Sequence, residues 1–260
     1  MRDSAKAAFF PLSKKFEGYL TFMYADVKNL VTTGMGNLID PIQYALSLPW
    51  KDSSGNLVSQ DTIRDAWNAV KARTDLNQRG GGSYRGVTSI RLDDAGIQQL
   101  INTKMTQNEA VLKSRYPAFD SWPADAQLAL HLMAWALGPA FKYPKFMAAV
   151  NQTLPDFRTG AIESHISEAG NPGVIPRNIA IKALFNNAAD VLANNLDPDT
   201  LVYDVNIAGG SAASSAASSL SQKKTPVKQA MTRGKIAGLL IAAGMGVVVI
   251  VDKVKGKRKR

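Results

Sequence analysis

A sharp change in composition near residue 209 constrains the folding of this chain of 260 residues more than any other feature. Residues 209–221 read GGSAASSAASSLS, with no charge and a single large apolar side chain. Such a segment cannot bury enough apolar surface to offset the chain entropy lost on folding, and its composition is typical of a flexible linker. We therefore expect a folded domain over residues 1–205, followed by a linker over 206–235 whose second half is basic.

The positive charge of the chain lies almost entirely behind this linker. The chain has 31 basic and 21 acidic residues and a net charge of +10, and residues 223–260 hold 11 of the basic residues and one of the acidic ones. Residues 1–222 are therefore neutral, with 20 charges of each sign. A nucleic-acid-binding domain would show its basic patch in the folded body, so we expect no specific nucleic-acid partner. With two His and no Cys, we expect no disulfide framework, no His/Cys metal site and no cofactor.

Behind the linker, residues 236–252 are predicted to form a transmembrane helix. The run that begins at Ile236 and ends at Val251 reads IAGLLIAAGMGVVVIV and contains no charged side chain. As a helix it is about 24 Å long, which is shorter than the roughly 30 Å hydrocarbon core of a bilayer, but lysines at both ends can reach the interfaces. The basic residues 253–260 indicate the cytoplasmic side, which places the body on the periplasmic side. A buried core helix for the run and a nucleic-acid contact for the tail stay open as alternatives.

The body is predicted to be mostly α-helical with one small β region, which makes its fold class α+β. Apolar positions recur at helical spacing, and Ser4, Asp61 and Asp93 are the expected N-caps. Residues 19–40 combine Tyr, Thr, Val and Phe with glycines and are predicted to form a short β-hairpin or irregular sheet. The glycine-rich residues 79–86 are predicted to be a mobile loop. The predicted helices cover residues 4–17, 61–74, 93–115, 123–137, 144–152, 160–168 and 176–195.

Three polar residues near the N-terminus are spaced so that a helix end and a hairpin would bring them together. Glu17 ends the first predicted helix, Asp26 follows nine residues later, and Thr32 six residues after that. Each alone has an ordinary interpretation, as a solvated helix end, a turn residue and a strand residue. Their joint spacing, with Gly18 directly behind Glu17, instead predicts a shared cleft that carries two carboxyl groups and a hydroxyl.

This spacing resembles the phage-type lysozymes, the family of the T-even phage lysozyme, whose motif is Glu-Gly, then Tyr-x-Asp, then Thr-x-Gly-x-Gly. Two weaker elements agree with it: the sequence WALG that begins at Trp135, and the segment that leads through Arg177 into the last predicted helix. The resemblance covers most of residues 5–195 and implies a lysozyme-like fold with a small β-sheet lobe and a helical lobe. The sequence departs from the family's pattern at Asn37, where the family usually has His, and over residues 41–90, which are longer and more irregular. The seven matching positions are Glu17, Gly18, Tyr24, Asp26, Thr32, Gly34 and Gly36.

The resemblance implies a role for each polar motif residue in cleaving a glycosidic bond. Glu17 would be the general acid, and burial would have to keep it protonated near neutral pH. Asp26 would be ionised and would activate the attacking water, which Thr32 would hold, and the anomeric configuration would be inverted. Three further residues are expected to contact the substrate, although each also has a plain packing or capping interpretation. These three residues are Leu38, Trp135 and Arg177.

The resemblance therefore implies a peptidoglycan hydrolase, an endo-acting muramidase that cleaves the β-1,4 bond between N-acetylmuramic acid and N-acetylglucosamine. Two alternatives stay open: a lytic transglycosylase on the same fold, and a virion structural or penetration protein without catalysis. Because the first residues show no signal-peptide pattern, a phage protein for host wall penetration or lysis is favoured over an ordinary cellular enzyme. The expected partners are peptidoglycan glycan strands, the membrane and virion proteins. The expected location is a single pass through the virion membrane or the host inner membrane.

Overall fold

The computed structural model describes residues 1–169 and 172–205. The predicted linker, transmembrane helix and cytoplasmic tail all fall in residues 206–260 and lie outside the described residues. Within the described ranges, no helix combines the length and the apolar character that crossing a bilayer requires.

The described residues form a mostly helical α+β structure, as predicted, in which α-helices accompany one small antiparallel sheet. The helices are α1 (Asp3–Glu17), α2 (Gln43–Leu46), α3 (Gln60–Ala72), α4 (Asp94–Arg115), α5 (Ala124–Leu137), α6 (Pro144–Val150), α7 (Phe157–Glu163) and α8 (Ile175–Ala193). The strands are β1 (Leu20–Ala25), β2 (Val31–Gly34) and β3 (Asn37–Leu38). Short 3₁₀ helices cover Thr74–Arg79, Gly81–Tyr84, Phe119–Ser121 and Pro172–Val174.

The sheet occupies the region that was predicted to be β, directly behind α1. Its strands lie in the order β1-β2-β3 and pair antiparallel, with Thr32 opposite Tyr24 on one side and opposite Leu38 on the other. At the tight turn between β2 and β3, Gly34 and Gly36 have φ of 65° and 75°, a backbone region that other residues rarely occupy. The turn geometry therefore explains why glycine stands at these two positions.

Helix α5 is the centre of the helical part. Every residue from Ala124 to Trp135 is buried, and α1, α4 and α8 pack against this helix. A helix that is buried on all sides needs apolar side chains on all its faces, and α5 reads ADAQLALHLMAWAL. One of its few polar side chains, His131, is enclosed beside the rings of Phe9 and Phe119.

Another polar side chain of α5, Asp125, ties the last described residues to the core. It is fully buried and accepts hydrogen bonds from the backbone N–H groups of Val202 at 2.8 Å and Tyr203 at 3.0 Å, and from the Asn187 amide at 3.0 Å. These three bonds occupy both carboxyl oxygens. Burial raises the pKa of Asp125 to about 6, although the hydrogen bonds act in the opposite direction.

Two of the three predicted N-caps are wrong. Helix α1 begins before Ser4, whose hydroxyl donates to a distant backbone carbonyl instead of capping the helix. Helix α3 is capped by Ser59 and not by Asp61, because the Ser59 hydroxyl accepts from the backbone N–H three residues later. Asp93 is confirmed as the cap of α4, since its carboxylate accepts from the Gly96 N–H at 2.9 Å.

The helix that was predicted over residues 160–168 lies nearer to the N-terminus, as α7. Its cap is Asp156, whose carboxylate accepts from the Thr159 N–H at 3.0 Å. Gly160 lies inside the helix and not at its start, and a Cβ there would come within 3.0 Å of Val150. Close packing against α6 therefore explains this glycine.

Residues 79–86, predicted to be a mobile loop, are packed against the sheet. Tyr84 is fully buried, and its hydroxyl donates to a backbone carbonyl at the end of α3 at 2.9 Å. Gly81 lies so close to β1 that an added Cβ would come within 2.7 Å of the Leu20 side chain and 2.9 Å of the Tyr24 ring. The segment thus contains a 3₁₀ helix that Tyr84 and Gly81 anchor through contacts that local composition does not reveal, and its mobility stays a prediction.

Candidate active site

Glu17 lies at the point where α1 ends and the sheet begins. Gly18 follows it with a φ of 73°, which ends the helix and turns the chain into β1. Arg177, at the start of α8, donates a hydrogen bond to Glu17 Oε1 at 2.5 Å. The Glu17 side chain is 22% exposed and the Arg177 side chain is almost fully buried. Two predicted site residues, 160 positions apart in the sequence, are thus in direct contact.

Burial and two nearby cations set the proton affinity of Glu17. Burial raises the pKa of Glu17, the positive charges of Arg177 and Lys104 lower it, and the net pKa is raised. A general acid that works near neutral pH requires such a raised pKa. The pKa of Tyr24 is raised to about 12, first by burial and then by the charges of Glu17 and Asp26. Both carboxyl groups therefore lie close to Tyr24.

The second oxygen of Glu17 faces the glycine turn of the sheet. A Cβ built on Gly36 would lie 4.0 Å from Glu17 Oε2 and would meet no other neighbouring atom within 4 Å. Arg177 holds Oε1 and orients the carboxyl group, while Oε2 accepts no hydrogen bond among the described residues.

The turn beside Glu17 is held from two sides. Asn37 Oδ1 accepts a hydrogen bond from the Met35 N–H at 3.2 Å, and this amide fills the space that a side chain at Gly34 would need. From the helical part, Trp135 Nε1 donates to the Met35 carbonyl at 3.0 Å. Asn37, which stands where the resembled family usually has His, therefore closes the turn.

Asp26 is fixed at the turn between β1 and β2. Its Oδ1 accepts from the backbone N–H groups of Lys28 and Leu30, both at 2.8 Å. Its Oδ2 has no hydrogen-bond partner among the described residues, so one oxygen is positioned and the other is left to interact with a ligand or water. Glu17 and Asp26 share this arrangement, although they are fixed by different elements.

Thr32 lies buried in the middle strand of the sheet, between Tyr24 and Leu38 in register. Its hydroxyl donates to the Leu30 carbonyl at 3.2 Å. Because a hydroxyl can accept while it donates, Thr32 can still accept a hydrogen bond from water. Thr32 is the least exposed of the three predicted catalytic residues. A water molecule that bonds to its hydroxyl would therefore have to lie directly against the sheet.

The three residues expected to bind substrate lie in different settings. Leu38 is 51% exposed on β3, next to Thr32 in the sheet, and its side chain is free to contact a ligand. Arg177 is engaged with Glu17. Trp135 is only 6% exposed, with Phe9 packed on its ring at 5.1 Å, so little of the ring is left to stack on a sugar. Contacts of all three with a glycan stay predictions.

Lys104 is a site residue that the motif did not identify. It projects from α4 and lies close enough to Glu17 for each to shift the pKa of the other. The local signal for it is weak: Lys104 flanks the buried face of α4, which Ile101 and Met105 form. Tyr24 belonged to the motif but had no predicted role, and its position two residues before Asp26 was the available signal.

The described residues contain no cluster of side chains that could bind a metal ion. Within the residues that the structure describes, no group of three or more His, Cys, Asp or Glu side chains is placed to hold a metal ion.

Comparison with known proteins adds no assignment. No protein-family model matches the chain, and no curated protein matches it either. A functional proposal consequently depends on the local geometry and on the spacing of the motif.

Proposed function

We propose that the chain is a peptidoglycan hydrolase with a lysozyme-like fold, an endo-acting muramidase that cleaves the β-1,4 bond between N-acetylmuramic acid and N-acetylglucosamine. The observation that carries this proposal is the setting of Glu17. Its carboxyl group is largely buried, its pKa is raised, one oxygen is held by Arg177, and the other lies near the Gly36 turn with no hydrogen-bond partner among the described residues. These are the properties that a general acid in glycoside cleavage requires.

The first half of the proposed reaction is protonation of the leaving group. Protonated Glu17 transfers its proton from Oε2 to the glycosidic oxygen as the bond from that oxygen to the anomeric carbon breaks. Arg177 holds the carboxyl group in one orientation, so the proton donor does not have to be ordered during the reaction. The carboxylate that is left behind is stabilised by the positive charge of the same arginine.

The second half is attack by water. The free Oδ2 of Asp26 accepts a proton from a water molecule while the oxygen of that water bonds to the anomeric carbon. The Thr32 hydroxyl accepts a hydrogen bond from the same water and orients it. Because no covalent bond to the protein forms, the anomeric configuration of the product is inverted.

Digestion of purified peptidoglycan by the full-length chain, followed by mass spectrometry of the products, tests this proposal. The expected products carry new reducing ends on N-acetylmuramic acid, and Glu17→Gln yields none. Glu163→Gln, which alters a glutamate at the far end of α7, is the matched control and keeps the activity. Full activity in Glu17→Gln would sink the assignment.

The same products separate the two alternatives. New 1,6-anhydromuramyl ends would show a lytic transglycosylase, whose chemistry does not need a water held by Asp26 and Thr32. Binding to peptidoglycan without any released product would show a protein that keeps the fold for a structural or penetration role in a virion.

We further propose that the enzyme is tethered to a virion membrane or host inner membrane through the run from Ile236 to Val251, with the catalytic domain on the periplasmic side. This proposal rests on the sequence alone, on the apolar run between lysines and the basic tail behind it. Alkaline extraction of membranes from producing cells tests the tether, since an anchored chain stays in the pellet. Mass spectrometry of purified particles tests whether virions carry it.

A further inference from the structure

Lys104 places a second positive charge beside Glu17, at a position where the motif predicts none. Its side chain is half-buried, and its ammonium nitrogen lies 4.4 Å from the centre of the Trp135 ring. Among the described residues it has no carboxylate within 4 Å and no hydrogen-bond acceptor. All three of its N–H donors are therefore unused by the protein.

An ammonium group in this setting lacks part of its hydration. Burial lowers the pKa of Lys104, and the charge of Glu17 raises it only in part. The contact with the indole ring compensates some of the lost hydration, but it uses none of the hydrogen-bond donors. A half-buried cation with free donors is prepared to bind an anion.

The charge balance of the site points in the same direction. Ionised Glu17 is in direct contact with Arg177 and near Lys104. Protonated Glu17, the form that can act as an acid, leaves neither cation with a carboxylate within 4 Å. When Glu17 is protonated and able to react, an anion supplied by the substrate would compensate the positive charges of Arg177 and Lys104.

We propose that Lys104 binds a carboxylate of the glycan substrate and thereby selects strands that carry acidic substituents, an inference that rests on the muramidase function proposed above. The carboxylate has two sources in peptidoglycan: the peptide where muramic acid carries one, and the lactyl group where no peptide is attached and its carboxyl group is free. Either would accept hydrogen bonds from the ammonium group while that group stays over the Trp135 ring. Lys104 is thus a specificity-determining residue, because a neutral β-1,4 glycan offers it no partner.

The test compares three substrates with the full-length chain. They are peptide-bearing peptidoglycan, glycan strands stripped of peptide so that the lactyl carboxylates are free, and the same strands with those carboxylates converted to methylamides. At pH values below the basic limb of the profile, Lys104→Gln is expected to lower kcat/KM about tenfold on acidic substrates, the scale of one charge-assisted hydrogen bond, and to leave it unchanged on the neutralised strands. Lys104→Arg keeps the charge and most of the preference.

Lys14 offers a matched control. Its ammonium nitrogen lies 4.0 Å from the centre of the Tyr19 ring, so it is also a lysine on an aromatic ring, but it is exposed on α1. Lys14→Gln is expected to keep the activity and the substrate preference of the wild type. A loss of preference in this variant as large as that in Lys104→Gln would mean that any lysine acts through total charge, which overturns the proposal.

Each outcome has a distinct meaning. Loss confined to the peptide-bearing substrate assigns the carboxylate to the peptide, and loss on the stripped strands assigns it to the lactyl group. Equal loss on all three substrates, or no loss on any, overturns the role of Lys104 while the muramidase stands. A wild type that cleaves none of them overturns the proposed function itself and this inference with it. If Lys104→Gln does not fold, equal kcat/KM of the wild type on acidic and neutralised strands is the overturning result.

A pH profile separates this role from simple packing. The charged and titratable groups that face Glu17 are Arg177 from α8, Lys104 from α4 and Tyr24 from β1. Lys104→Gln removes one of the two charges that lower the pKa of Glu17, so the basic limb of kcat/KM is expected to move to higher pH. Loss of packing alone would leave the limb where it is, and an unmoved limb contradicts the proximity of the two charges.

Discussion

Asp125 and Glu17 are both carboxyl groups that burial pushes towards the protonated form, yet their surroundings differ in one respect. Asp125 accepts three hydrogen bonds, which occupy both its oxygens and join the C-terminal segment to the core. Glu17 accepts one hydrogen bond, from Arg177, and its second oxygen, near Gly36, accepts none among the described residues. The raised pKa alone therefore does not set the two groups apart, whereas the number of hydrogen bonds that their oxygens accept within the described residues does.

The largest expected effect is a loss of activity, which we expect on substitution of Glu17 and not on substitution of Asp125. Glu17→Gln is expected to lower kcat on peptidoglycan about 1000-fold, within the usual contribution of a general acid. Its melting temperature should change little. Asp125→Asn is expected to keep most of the activity per folded molecule. Wall-clearing rates, corrected for the folded fraction by circular dichroism, measure both, and similar losses in the two variants would remove the distinction.

The next largest effect is a loss of stability, which we expect on substitution of Asp125. Asp125→Ala leaves the buried Tyr203 N–H, the partly buried Val202 N–H and the buried Asn187 amide without their acceptor, and is expected to cost about 4 kcal/mol of unfolding free energy. Asp65→Ala, at an exposed position of α3, is the control and should cost less than about 0.5 kcal/mol. Urea denaturation followed by tryptophan fluorescence compares them. An Asp125→Ala variant as stable as the control would show that these hydrogen bonds contribute nothing.

The pH dependence of stability tests which influence dominates at Asp125. Its folded pKa of about 6 lies above the ordinary 3.8, so the stabilisation from its protonated form is complete below about 4 and is lost as pH rises through 6. Relative to Asp125→Asn, the wild type should lose up to about 3 kcal/mol between pH 4 and 7. Urea unfolding at several pH values measures this difference. The opposite slope would mean that the three hydrogen bonds outweigh burial.

The smallest effect tests whether the space beside Glu17 matters. Gly36→Ala and Gly55→Ala both place a side chain at a positive φ, of 75° and 84°, and each should cost about 1 kcal/mol of stability. Only Gly36→Ala adds a methyl group next to Glu17 Oε2, so only it should lower kcat/KM, by roughly threefold to tenfold. Steady-state kinetics on soluble glycan strands compare the two. Equal activities would mean that the acid is not approached from this side.

Local signals predicted much of the fold. The helix periods, the cap at Asp93 and the glycines of the β turn all depend on residues within a few positions of each other. The region after Glu17 was also predicted to be β, and Asp26 and Thr32 lie at the β1–β2 turn and on β2, whereas a cleft shared by Glu17, Asp26 and Thr32 stays a prediction. What could not be predicted depends on contacts between residues that are far apart in the sequence. The donors to Asp125 and the packing of Gly81 on β1 are examples, because neither produces a periodic pattern in the sequence.

The candidate site shows the same division. Arg177 was expected to contact substrate, and in the structure it donates a hydrogen bond to Glu17. This contact could not be predicted, because the sequence alone does not reveal which buried cation a carboxyl group will meet. Trp135 could equally have been a core or a cleft residue from sequence, and its hydrogen bond to the Met35 carbonyl depends on how α5 meets the turn. Lys104 was missed for the same reason, since α4 approaches Glu17 only in the folded chain.

The close approach of Gly81 to Tyr24 also decides where a reporter group can be inserted into this protein. By composition, residues 79–86 would be the first choice for an inserted tag or fluorophore. Any bulk added at Gly81 would press on the tyrosine that lies near both carboxyl groups, and the label would disturb what it was meant to report. The turn at Gly55, where an added side chain meets nothing within 4 Å, is the better attachment point.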